Sequence, residues 1–163
     1  MSTFEVLLEN VIAFCATIDK DISVITDKEN EWASYCAEKI VVIPNDIKNM
    51  RPVLYAGGKY FLHHICTTHH LNAYEYGQNF LSLLHEIGHI YTTRWEPCNA
   101  LTERKRFERR EGRFAKINTL DPLDYEFHRI YFDTIYEFNA TEWAVRWVKA
   151  HPAEAKAWSK LIG

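Results

Sequence analysis

Between residues 85 and 89 the chain reads His85-Glu86-Ile87-Gly88-His89. Two imidazoles four residues apart on a helix stack on one face, about 6 Å apart, so both can reach one ion. Zn–N bonds of about 2.0–2.1 Å then leave a tetrahedral site with room for a water. Zinc lowers the pKa of that water to about 7. Glu86 follows the first histidine without ligating, so it is placed to take the water's proton and pass it to a leaving amine. Gly88 points the same way, because a mid-helix glycine costs about 1 kcal/mol relative to alanine and something must gain from the missing side chain. Close packing of a neighbouring helix would explain the glycine equally well.

A zinc hydrolase needs a third protein ligand. The short metzincin extension requires a Gly at 92 and a His or Asp at 95, but Thr92 and Trp95 stand there, which excludes that arrangement. What remains is a carboxylate from a later helix. Glu126, Glu137 and Glu142 are the candidates, with His128 as a nitrogen alternative. Stabilising an oxyanion takes a donor besides the metal, and His128 and Tyr131 are of the right type.

These side chains need helices to hold them. Phe4, Leu7, Leu8, Val11, Ile12, Cys15 and Ile18 recur at helical spacing, and Ser2 with Glu5 forms a capping box ahead of them. Residues 28–65 read as short strands. Ile40 to Ile43 is β-branched and stopped by Pro44, and Glu31 to Cys36 can pair with it through a turn at 37–39. A helix over 28–39, carrying Trp32, Tyr35, Cys36 and Lys39, is the alternative. Pro52 to Tyr55 and Lys59 to Ile65 flank Ala56-Gly57-Gly58, a hairpin signal. From Asn72 to about Thr93 the pattern is helical again, with Asn72 and Glu75 resembling a cap and Phe80, Leu83, Leu84, Ile87 and Ile90 as the buried stripe. Residues 94–122 are charged and loop-prone. A long helix follows from Leu123 to Ala150, then a short one carrying Trp158. The expectation is one α+β domain over residues 1–163.

Leu81 to Ile90 resembles the active-site helix of the ImmA/IrrE-type zinc peptidases, a compact gluzincin-like family. That family has a second-helix pattern, roughly E-x-x-A-[ND]-x-F-A, whose Glu is the third zinc ligand. Glu137-Phe138-Asn139-Ala140-Thr141-Glu142-Trp143-Ala144 matches the Glu, both Ala and the aromatic position. Thr141 departs from the usual Asn or Asp. The resemblance implies a zincin-like fold with an N-terminal helix, a small mostly antiparallel sheet and two active-site helices. It also implies His85, His89 and Glu137 as zinc ligands, Glu86 as the catalytic carboxylate, and 94–122 as an insertion. The substrate it implies is a protein, typically a helix-turn-helix DNA-binding repressor.

Composition narrows the classes. The chain has 163 residues, 22 acidic and 19 basic, for a net charge of −3, and is 47% hydrophobic. That excludes a disordered or collagenous protein and argues against direct nucleic-acid binding or a membrane coat. No apolar run approaches the ~20 residues of a membrane span, and Met1 to Glu5 lacks the basic start of a signal peptide. Cys15, Cys36, Cys66 and Cys98 include no C-x-x-C pair, which excludes a zinc ribbon and suits a reducing, cytoplasmic setting. His63-His64 and His69-His70 flank Cys66 without a recognised ligand spacing, and read as strand-end or loop histidines on a hairpin that edges the cleft. An extended peptide could add to that edge. Residues 104–113 are rich in Arg and Lys, either a solvated run or an exosite for an acidic partner. The rival to a peptidase is a non-catalytic binding protein on the same scaffold, for example phage-encoded, that sequesters a host protein. A zinc hydrolase of non-peptide bonds is a third reading.

Overall fold

The computed structural model describes residues 2–27, 31–45, 52–93, 112 and 115–163. It is an α+β fold. Helix α1 (Thr3–Ile18) begins at the Ser2–Glu5 capping box and buries Val11, Phe14 and Cys15. Phe14 thus takes a core position that the sequence pattern assigns to Ile12, which is 48% exposed. The Phe14 ring meets Phe80, Trp147 and Trp158 at centroid distances of 5.2, 5.3 and 5.4 Å, joining three other helices around it.

Three strands follow: β1 (Ser23–Asp27), β2 (Ala33–Tyr35) and β3 (Ile40–Pro44). Their order in the sheet is β1-β3-β2, with β3 buried in the middle. The β2–β3 hairpin is antiparallel, as its turn at 37–39 predicts. The longer pairing, β1 with β3, is parallel, so the sheet is mixed where a mostly antiparallel one is expected. Both edges are short, and β2 is the one that lies against the helix carrying the histidine motif.

The expected hairpin over 52–65 is instead helix α2 (Pro52–Thr68). Phe61, His64 and Ile65 are buried at i, i+3 and i+4, a helical stripe that the Gly57-Gly58 pair disguises as a turn. Pro52 sits at the first helical position, where a missing N–H costs nothing. Helix α3 (Gln78–Thr92) begins later than Asn72. A 3-10 turn at Ala73–Glu75 and Gly77, at φ +82°, separate it from the preceding chain, and Asn72 makes no capping bond.

The long C-terminal helix is broken in two, α4 (Tyr125–Phe132) and α5 (Ile135–Ala150). Thr134 adopts an extended conformation at the break, and its hydroxyl donates to the Tyr131 carbonyl. Helix α6 (Pro152–Ile162) closes the chain with Pro152 in its first turn, and packs on α1. Among the described residues no helix is long and apolar enough to cross a membrane. Most of the 94–122 segment, including the basic run apart from Gly112, lies outside the described residues.

Candidate metal centre

Helices α3 and α5 make the most extensive helix contact in the fold. A Cβ on Gly88 would lie 2.4 Å from the Ala140 carbonyl oxygen, so only glycine permits this approach. Ala140 and Ala144 are fully buried on the facing side. Helical spacing puts Glu137, Ala140, Thr141 and Ala144 on that one face of α5. The small residues let the helices close in, and Glu137 and Thr141 reach across to the histidines.

There, three ligand-type atoms converge. Glu137 Oε2 lies 2.8 Å from His85 Nε2 and 3.3 Å from His89 Nε2, and the two ring nitrogens are 3.1 Å apart. A tetrahedral ion with bonds near 2.0–2.1 Å holds its ligands about 3.3 Å apart, so the triangle matches such a site with slight contraction. His85, His89 and Glu137 form the group among the described residues that could hold a metal ion.

Neighbouring bonds orient the donors. Thr141 Oγ1 donates its only proton to the Glu137 carbonyl at 2.9 Å, so it must accept from His85 Nδ1–H, also at 2.9 Å. The proton on Nδ1 leaves the Nε2 lone pair of His85 facing the triangle. Threonine therefore fixes the orientation of the His85 ring. Tyr131 Oη donates to Glu137 Oε1 at 3.1 Å, which leaves Oε2 free for the triangle. Acceptor atoms this close together demand a cation, either a shared proton or a metal. The electrostatics agree. Burial opposes ionisation of Glu137, but its contacts with His85 and His89 outweigh that and hold the carboxyl well below the usual carboxylate range. Burial also opposes a charged His89, yet Glu137 and Glu86 outweigh it and raise the ring's pKa.

Glu86 stands beside the triangle without joining it. It is 9% exposed, and Ser34 of the edge strand β2 donates to its Oε2 at 3.0 Å. Burial pushes its pKa up, more than the nearby histidines pull it down. A carboxyl with a raised pKa beside a cleft is suited to proton transfer near neutral pH. The cleft has a volume of about 300 Å³ and runs from His85, Glu86 and Glu137 past Tyr131 to a wall of aromatic rings.

The other carboxylate candidates are engaged elsewhere. Glu126 holds Arg129 in a two-point pair at 2.8 and 2.9 Å, and Glu142 accepts from His69 Nδ1 at 2.7 Å. His128 is outside the metal group, and its Nε2–H donates to the Pro122 carbonyl at 2.8 Å. Burial lowers its pKa, so the neutral ring has no second N–H to offer an oxyanion. Tyr131 is beside the centre and His128 is along the cleft.

Of the two histidine pairs, His63 and His64 lie within α2 and not at a strand end, whereas His69 and His70 follow it in a loop, as expected of them. His64 and His69 are 1% and 4% exposed, packed ring to ring at 5.8 Å, while His63 and His70 face solvent. With 52–65 helical, the expected hairpin does not edge the cleft, and among the described residues the sheet edge beside the site is β2. Sequence reasoning misses Ser34, Phe61 and Gln78, all of which belong to the site's surroundings. No local signal marks them, since Ser34 meets Glu86 across 52 positions.

No family model matches the chain, and comparison with curated proteins and with solved structures yields no match either.

Proposed function

We propose that the protein is a zinc metallopeptidase that hydrolyses a peptide bond in a protein substrate, with His85, His89 and Glu137 holding the metal. The observation that carries this reading is the placement of Glu137 Oε2 between the two Nε2 atoms, with Glu86 beside them at a cleft. Two imidazoles and one carboxylate with an open side are a donor set that suits catalytic zinc. Bound there, zinc would supply Lewis acidity for a carbonyl and acidify a water.

The chain's own residues divide the remaining work. Glu86 accepts the water's proton and delivers it to the leaving nitrogen, and Ser34 fixes the carboxylate that does so. Tyr131 Oη, now on Glu137 Oε1, lines the cleft and is the hydroxyl this reading assigns to a developing oxyanion. Thr141 holds His85 in the tautomer that ligation requires. Cys15, Cys36 and Cys66 are free thiols, which favours a reducing, cytoplasmic setting. The resemblance of the two helices to ImmA/IrrE-type peptidases makes a helix-turn-helix repressor the first substrate to offer.

The test begins with elemental analysis of wild type beside Glu137→Gln. One zinc per wild-type chain, weakened in the variant, supports the centre, and a wild type that stays empty after zinc is offered overturns it. Glu86→Gln should keep zinc and lose turnover of the repressor by about 10²–10⁴-fold. If Glu86→Gln keeps the full biological effect, the protein is a binder and not a peptidase.

A further inference from the structure

Beyond the metal ligands, the cleft is built from rings. Phe61 stands edge-on to His85 at 5.1 Å and against Phe132 at 5.1 Å, and Trp32 and Phe127 complete the wall. Phe61 and Phe132 are 5% and 8% exposed, so their rings are fixed by packing before any ligand arrives. The wall is continuous with Glu86 and His85, so whatever fills it lies next to the reacting bond. A preformed, mostly apolar cavity of this size suits one bulky side chain with adjoining backbone.

Two glycines in the middle of α2 shape its end. Each costs about 1 kcal/mol relative to alanine inside a helix, so each should serve a contact. Gly57 lets the His128 ring approach to 3.2 Å of where a Cβ would be. At Gly58 a Cβ would lie 1.8 Å from Gln78 Nε2, so the Gln78 carboxamide occupies the space that a side chain at 58 would claim. Gln78 also lines the cleft. A side chain at 58 must displace that amide, which borders the cavity.

We propose that this cleft is the subsite for a large apolar side chain, aromatic foremost, adjoining the hydrolysed bond, and that Gly58 and Gln78 set its depth. The proposal rests on the metallopeptidase reading above, and its test separates the two. Zinc-loaded protein is titrated calorimetrically with acetohydroxamate and with 3-phenylpropanohydroxamate, which share a metal-chelating head and differ by a benzyl group. Wild type should bind the phenyl compound about 10–100-fold more tightly, the range expected for burying one aromatic group. Gly58→Ala should erase most of that preference, and Gly58→Ala/Gln78→Ala should restore it, since the displaced amide is then gone. Equal affinities in wild type would overturn the subsite and leave the metal centre standing. An unchanged preference in Gly58→Ala would overturn the role of the Gly58–Gln78 contact. Failure of both compounds to bind zinc-loaded protein would overturn the metallopeptidase reading and the subsite with it.

Discussion

Helix α5 serves two histidine clusters that look alike in composition and differ in what they can bind. One joins His85, His89 and Glu137. The other joins His64, His69, Glu142 and Asp133. In the second, each ring has its own carboxylate: His69 Nδ1 lies 2.7 Å from Glu142, and His64 Nε2 lies 3.5 Å from Asp133. Phe138 and Phe132 cover the two rings at 4.7 and 5.4 Å. In the first, a single carboxylate oxygen faces both rings, and the other donors are tied back by Thr141 and Tyr131. Convergence of lone pairs on one point beside a cleft makes a group that could hold a metal ion. The number of histidines and acids does not.

The sharpest way to break the comparison is to remove one ring from each cluster. His89→Ala should abolish stoichiometric zinc binding, because two ligands do not close a tight site. His69→Ala should leave one zinc per chain and lower stability by about 1–3 kcal/mol, since Glu142 loses its bond to His69, keeping Arg146, and a buried space opens. Elemental analysis and denaturant melts of the two variants read both effects. If His69→Ala releases the metal, the division between the clusters is wrong.

A smaller effect should come from the residue that orients the first cluster. Thr141→Val keeps the shape and removes the hydroxyl between His85 Nδ1 and the Glu137 carbonyl. Zinc affinity should fall by about 10–100-fold, measured by competition with a chelator. Unchanged affinity would mean that His85 needs no help to present Nε2.

The smallest effect separates the clusters by pH. Burial holds His64 and His69 below the ordinary histidine value of 6.5, against the pull of Asp133 and Glu142. The native state keeps both rings neutral, whereas the unfolded chain takes up protons as the pH drops through 6.5. Their contribution is therefore fully present above 6.5 and lost as pH falls from there toward the lowered native values. Melting temperatures between pH 7.5 and 5 should fall less steeply for His69→Phe than for wild type at the same zinc concentration. Parallel curves would show that His69 titrates alike in both states.

Several elements are legible in the chain because their signals are local. The capping box spans Ser2 to Glu5, and the β2–β3 hairpin declares its turn within a few residues. The pairing of His85 with His89 follows from four residues of helix. Errors arise where one local signal has two physical causes. Gly57-Gly58 supplies either a turn or a close helix contact, and the contact with His128 and Gln78 is what the fold uses. No proline or glycine marks the break at Asp133 and Thr134, and its one mark is Thr134 with Glu137 three residues on, the spacing of a helix start. Yet that break turns Tyr131 onto Glu137, six residues away, which one continuous helix would keep on different faces.

Written in the chain itself are the helical pitch that stacks His85 on His89, the glycine and alanines that permit two helices to touch, and the acid that follows the first histidine. Residue types left Glu126, Glu137 and Glu142 open and only the resemblance pointed to Glu137; the packing of the helices brings Glu137 to the histidines and sets which hydroxyls orient them and what walls the cleft. His85 meets Glu137 across 52 positions and Thr141 across 56. Periodicity carries no information over such separations, because the relative placement of two helices depends on how their small residues pack and not on the pattern within either one.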